Sequence, residues 1–274
     1  MENTMLKALA IAAISLCICS VWGAKVEGEQ TTGVRVIPMR PTPEPDEVEV
    51  RFAFPYEGEL KTGNPVIVQL RLEAFPLGFN SDFPRAREIR NSDEGQSLHI
   101  IVDGKHHFDI NEAIDDVAEN EEIDFDQIIQ AKIPYRLSDG IHILRAFPVR
   151  SFGEALKGPK SFASTYFYYG KTEQKSSVDL DKPYLTYNCP EGEFERDQPV
   201  LLDFYLSNTQ LSKDGYKVRL IIDGTDKRIL TDWAPYYIYG LKKGSHSIKL
   251  ELLDPSGKVL APLFNDLQQT IVVK

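Results

Sequence analysis

From Pro65 to Leu72 the chain alternates, with Val66, Val68, Leu70 and Leu72 on one side and Ile67, Gln69 and Arg71 on the other. A period of two predicts a half-buried antiparallel strand. Val200, Leu202, Phe204 and Leu206 repeat the pattern further on. Leu98, Ile100 and Val102 alternate in the same way, as do Val218, Leu220 and Ile222, and each of these runs ends at an Asp-Gly pair that predicts a tight turn. No segment carries a convincing long amphipathic helix.

The chain can be laid on itself. PVIVQLRL from Pro65 matches PVLLDFYL from Pro199, and LHIIVDG from Leu98 matches VRLIIDG from Val218. YRLSDGIH (Tyr135 to His142) then matches YGLKKGSH (Tyr239 to His246). SFASTYFYY from Ser161 matches the closing LQQTIVV only loosely. One order of motifs in both halves indicates a duplicated unit. The copies differ in their connections. Between the two glycines Gly104 and Gly140 the first copy is 16 residues longer than the second is between Gly224 and Gly244. AFPLGFNSDFPRAREIRNSDEG (74–95) and SFGEALKGPK (151–160) mark two further enlargements.

Leu-x-x-Gly, a ring residue two positions on, then alternating aliphatics resembles the E–F corner of fibronectin type III and bacterial immunoglobulin-like modules; LKKGSHSIKLELLDPSG (241–257) is the clearest instance. The resemblance implies a seven-strand sandwich and brings no catalytic residues with it. The expected fold is therefore all-β, two tandem immunoglobulin-like antiparallel β-sandwich domains, the first with long loop insertions. Expected boundaries are a signal peptide over 1–23, a Pro-rich linker over 24–47, a first sandwich with an acidic insert over 48–170, a linker over 171–182 and a second sandwich over 183–274. The last span holds a complete set of strands without inserts, so it is expected to fold alone.

Leu6 to Val21 is apolar, uncharged and short for a bilayer span, as in a secretory leader. Val21-x-Gly23 fits a cleavage site. Leu16-Cys17-Ile18-Cys19 offers a lipid anchor at Cys19, with Ile where a small residue is wanted, so simple cleavage is preferred. Export to the periplasm or cell envelope follows, with no membrane span after cleavage. Cys189 is then the one thiol left, expected as a small half-buried side chain rather than an intermolecular bridge. A net charge of −10 and the lack of a basic stripe argue against a nucleic-acid partner.

The repeated histidines favour architecture over chemistry. His142 and His246 share inward strand faces with Leu144 and Ile248, so each ring is expected at the core edge with a nitrogen bonded to a backbone carbonyl. His99, His106, His107 and Asp109 form the other imidazole-rich stretch. His99 aligns with Arg219 on the outward face, which favours a solvated hairpin tip; the rival reading is a periplasmic metal-handling protein or enzyme accessory using these four residues. No nucleophile elbow, zinc-protease helix or phosphate loop is present, so no enzyme activity, resident metal or cofactor is expected. Trp233 and Tyr236 suggest an aromatic edge for a partner. Glu112, Asp115, Asp116, Glu119, Glu121, Glu122, Asp124 and Asp126 crowd the first insert among Ile114, Val117, Ile123 and Phe125. They are expected to face a partner, with a basic one suited to their charge. The expectation is a non-catalytic binding protein of the envelope.

Overall fold

The computed structural model describes residues 26–27, 33–105, 107–112, 127–172, 178–260 and 266–274. Among these the strands run β1 (Val26–Glu27), β2 (Arg35–Pro38), β3 (Glu49–Phe54), β4 (Glu59–Lys61), β5 (Ile67–Glu73) and β6 (Ser97–Val102). They continue as β7 (Phe108–Ile110), β8 (Gln127–Lys132), β9 (Gly140–Val149), β10 (Ala163–Tyr169), β11 (Tyr184–Cys189) and β12 (Gly192–Phe194). The remainder are β13 (Val200–Ser207), β14 (Lys217–Ile222), β15 (Asp226–Leu230), β16 (Tyr236–Tyr239), β17 (Gly244–Leu253) and β18 (Asp266–Val273). One short 3-10 turn, Pro84–Arg87, interrupts them, and no helix among the described residues is long and apolar enough to cross a membrane.

The duplication is visible strand by strand. In the first half β3-β5-β8 faces β4-β10-β9-β6-β7; in the second β11-β13-β16 faces β15-β14-β17-β18-β12 in the same relative order. Pairings are antiparallel except β4 with β10 and β12 with β18, which occupy matching places. Each half closes on its own core: Val68, Leu70, Leu98, Ile100, Leu144 and Phe167 in the first, Leu202, Phe204, Leu220, Ile222, Leu250 and Ile271 in the second. The alternating residues of the aligned motifs are these core residues, which is why period two sufficed to locate the sheets.

Two features depart from the sequence expectation. The described residues of 24–47 do not form a free spacer. β1 pairs with β15, and β2 pairs with β16 in a register running from Tyr236↔Pro38 to Tyr239↔Arg35. Val34 and Val36 are buried in the core of the second sandwich. The chain therefore contributes to the second sandwich, crosses to build the first, and returns. The crossing segment is held by charge. Thr42 donates from its backbone N–H and hydroxyl to the Glu154 carboxylate, Arg85 pairs with that carboxylate, and Arg85 and Arg150 donate to the carbonyls of Arg40 and Pro43.

The second departure is that the halves are not beads on a string. Ile101, Phe147, Val149 and Ala155 of the first sandwich pack on Tyr205 and Trp233 of the second, and Ile89 and Phe152 pack on Leu201 and Tyr237. Two of the three enlargements of the first copy build this waist. Glu88 accepts from the Tyr237 hydroxyl (2.9 Å), and Gly153, Ala155 and Lys157 come from the enlargement at 151–160. At its centre lies Asp203, fully buried, which accepts from the Ala155 N–H (2.9 Å) and the Asn188 amide (2.8 Å) and pairs with the Lys157 ammonium (2.6 Å). A buried carboxylate needs this many partners, because an unpaired one is costly in a dry interior.

Candidate functional site

The repeated motif builds a corner. In each half the aspartate of the Asp-Gly turn has positive φ (54° at Asp103, 51° at Asp223), and its carboxylate reaches back to the corner histidine. His142 bonds through Nδ1 to Asp103 (2.5 Å) and through Nε2 to the Ser138 carbonyl (2.8 Å). His246 does the same with Asp223 (2.7 Å) and the Lys242 carbonyl (2.7 Å). The other carboxylate oxygens accept from the N–H groups of Ile143 and Ser247, both at 2.9 Å. A carboxylate and a carbonyl can only accept, so each ring donates twice and is held as the cation. Burial pulls the His142 pKa down, but the bonds to Asp103 and Ser138 outweigh it and the net shift is upward. At His246 burial is again outweighed, by the Lys242 carbonyl and Asp223. The expected carbonyl bond is present in both copies; the aspartate link needed the fold to be seen.

The aromatic edge expected at Trp233 and Tyr236 is packing instead. Tyr236 is fully buried and donates to the Asp232 carbonyl (2.7 Å), while Trp233 Nε1 donates to the Phe204 carbonyl (2.9 Å). Both faces of β16 are covered, one by the core and one by the waist, so alternation there leaves no exposed set. Of the acidic insert, Glu112 is exposed; Asp115, Asp116, Glu119, Glu121, Glu122, Asp124 and Asp126 lie outside the described residues, as does His106.

His99 is the larger surprise. It points outward from its own sandwich, as the alignment with Arg219 implied, but that face is covered by the second half. Only 7% of His99 is exposed. β6 and β7 place His99 directly opposite Asp109, and His107 enters β7 just before it. The two imidazoles stack with ring centres 3.8 Å apart. The Oδ1 atom of Asp109 lies 3.5 Å from His99 Nε2 and 3.2 Å from His107 Nε2. On its far side His107 Nδ1 faces Glu191 Oε1 of the second half at 3.4 Å. Three of the four residues of the imidazole stretch thus converge, with His99 buried and His107 half-buried rather than standing in solvent.

Burial holds the His99 pKa well below 6.5, the neighbouring His107 adds to this, and the Asn188 side chain opposes it. Asp109 keeps 42% of its side chain exposed, yet the surrounding walls raise its carboxyl pKa; His107 opposes the rise and Glu191 and Glu94 add to it. These residues line one wall of a cleft of about 480 Å³ whose other walls include Phe152, Leu201 and Cys189. Burial, then Asp203, pushes the Cys189 thiol pKa well up, so it sits there as a protonated, unreactive group. The cleft takes residues from both halves, which no reading of either copy alone could have brought together.

No family model matches the chain, and no curated protein matches it. Solved structures are similar to it at fold level. The fibronectin(III)-like modules of Clostridium thermocellum CbhA are 13% identical, with 82% of this chain and 94% of that one covered and a TM-score of 0.27. SGBP-B of the Bacteroides ovatus mixed-linkage glucan utilization locus, in complex with a mixed-linkage heptasaccharide, is 10% identical over 86% of this chain and 47% of that one, TM-score 0.24. The chicken CNTN1 FN1-FN3 domains are 11% identical over 87% and 67%, TM-score 0.21. The chain is thus distantly similar to tandem immunoglobulin-like and fibronectin type III sandwich modules.

Proposed function

We propose that the protein is an exported, non-catalytic binding protein of the cell envelope whose two sandwiches act as one unit and take their ligand in the cleft between them. The observation that carries this reading is the cleft itself. Its walls come from both halves, and two of the three enlargements of the first copy hold those halves together. A scaffold that rigid suits a preformed site. The ligand it fits is cationic: Asp93, Glu94, Asp109 and Glu191 line the cleft against the single arginine Arg90. Asn111 donates to Glu94 (3.3 Å), which sets the exposed Glu112 beside the rim of the same cleft and adds to its acidic character.

Capture from native envelope tests it. Wild type, Glu94→Lys with Glu191→Lys, and a chain with residues 113–126 replaced by a Gly-Ser linker are compared at equal thermal stability. Loss of the captured component in the charge-reversed cleft supports the reading, and weaker capture on replacing the insert supports its role as an outer element. Unchanged capture by the charge-reversed protein rules the cleft out.

A further inference from the structure

Asn188 fixes the chemistry of the imidazole beside it. Its amide nitrogen donates both hydrogens, to the Gly153 carbonyl (2.8 Å) and to Asp203 (2.8 Å). Turning the carboxamide over would set its oxygen against those two acceptors, so its orientation is settled. The buried Asn188 oxygen and the buried Nδ1 of His99 each lack a hydrogen bond of normal geometry, yet the Asn188 side chain acts on the imidazole as its polar neighbour. A proton on His99 Nδ1 would supply that nitrogen's donor, and it is the tautomer that coordination through Nε2 requires. His99 Nε2 is then a bare lone pair, and it faces the Asp109 carboxylate. The two atoms face each other across 3.5 Å.

His107 is arranged to the same end. Glu191 faces its Nδ1 and can hold the proton there, which leaves Nε2 directed at the same Asp109 oxygen. Two imidazole nitrogens and a carboxylate oxygen thus lie within 4.8 Å of one another, and His107 has an acceptor behind it. An acceptor behind a ligating histidine fixes its tautomer and raises its basicity. The oxygen–nitrogen spacing also fits, and the two imidazoles, now stacked at 11°, turn out of their stack to aim both lone pairs at one ion. Ligands about 2.1 Å from a tetrahedral ion lie about 3.4 Å from each other, and Asp109 is 3.5 and 3.2 Å from the two nitrogens.

We propose that His99 Nε2, His107 Nε2 and Asp109 bind one divalent transition metal of the zinc type, with Asn188 and Glu191 orienting the two imidazoles. Two nitrogens and one oxygen suit a borderline ion better than calcium or magnesium, which take oxygen sets. Three protein ligands leave a fourth position, and the cleft gives it an outlet, so the ion is exchangeable or carries an outside ligand. Glu191 comes from the second half and Asp109 from the first, so the bound ion also tightens the waist. This deepens the cleft reading, since it names the cation.

Zinc is titrated calorimetrically into the chelator-stripped, untagged chain, and cobalt is followed by its visible absorption. One zinc per chain is expected, with a four-coordinate cobalt spectrum and a higher melting temperature. His99→Gln, His107→Gln and Asp109→Asn should each weaken zinc by at least about 100-fold, since even loss of an orienting partner costs ~10–100-fold. Metal-free melts of the variants show whether each is folded; His107→Gln, the less deeply buried of the two imidazole variants, keeps the test open if His99→Gln is not. Absence of stoichiometric zinc in wild type, or wild-type affinity in the folded His107 variant, overturns the inference. Envelope capture by metal-stripped protein separates the two proposals: capture lost on cleft charge reversal without any zinc binding refutes the metal alone, while zinc binding with capture untouched refutes the partner cleft alone.

Discussion

Asp203→Ala should be among the most damaging single changes in the chain. The substitution removes the counter-charge of Lys157, whose side chain is 9% exposed, and the acceptor for the Ala155 N–H and the Asn188 amide. Removing one partner of a buried pair costs about 3–5 kcal/mol, because the other charge stays in the dry interior. For a chain somewhat above 150–250 residues, where each kcal/mol moves the melting temperature by ~2–4 °C, the drop is roughly 6–20 °C. Trp233 packs in the waist, and the other tryptophan, Trp22, lies outside the described residues, so Trp233 fluorescence reports unfolding of the waist. Urea titrations followed by Trp233 fluorescence and by circular dichroism should coincide for wild type and separate for Asp203→Ala, as the halves lose their common hub. Replacing both charges, Asp203→Leu with Lys157→Met, should recover only the part due to the stranded charge, since the Ala155 N–H and the Asn188 amide stay without their acceptor. The resulting cycle should give a coupling of about 2 kcal/mol or more. A loss below about 1 kcal/mol for Asp203→Ala, or additive single changes, would refute the account of the waist.

Three further outcomes are expected. His142→Phe should cost more than His246→Phe, because Asp103 is 14% exposed and Asp223 46%, so water reaches the orphaned acceptors more readily in the second; equal losses in urea would contradict this. Because the corner histidines have folded pKa values raised above about 6.5, their contribution is complete below that value and is lost as pH rises through the folded pKa. The stability gap between wild type and Asp103→Asn should therefore shrink from pH 6 to pH 9, and a widening gap would show that the ring is not cationic. A fragment of residues 183–274 should melt poorly alone and regain a cooperative transition when a peptide of residues 33–39 is added, since β2 brings Val34 and Val36 to its core, each worth ~1.5–3 kcal/mol; a cooperative melt without the peptide would show that β2 is dispensable.

The sandwiches were legible because a strand with one wet face writes its geometry as alternation, and Val66–Leu72 and Val200–Leu206 do so twice. The corner was legible from Leu-x-x-Gly-x-His because two copies constrain each other. What alternation could not convey was that the wet face of one copy is the dry face of the waist. His99, Phe147, Tyr205 and Tyr237 all point away from their own cores and are all buried. Arginine and histidine at such places read as solvent-facing until the partner surface is known. β2 was hidden differently. Val34 and Val36 do alternate, but the run is four residues long and leads into MRPTPEPDE, whose prolines outweigh so short a signal. The candidate site suffered most, since Asn188, Glu191 and Cys189 stand more than eighty residues from His99.

The crossing of β2 has a consequence for how the protein is made. Synthesis is vectorial, so β2 emerges roughly 200 residues before β16, the strand it pairs with. At ~5–20 residues per second that is a wait of roughly 10–40 s. The first sandwich, which needs nothing from later in the chain to fill its core, can finish in that interval. The second cannot, for its edge has been issued at the opposite end of the message. The early half thus matures as a cargo held between two pieces of the late one, and when β16 arrives the closure that completes the second sandwich also ties off the first. Any premature stop between the two leaves β2 with exposed Val34 and Val36 and a bare hydrogen-bonding edge. A truncated chain of this kind therefore carries its own mark for disposal, readable by any quality-control factor that recognises an unpaired strand.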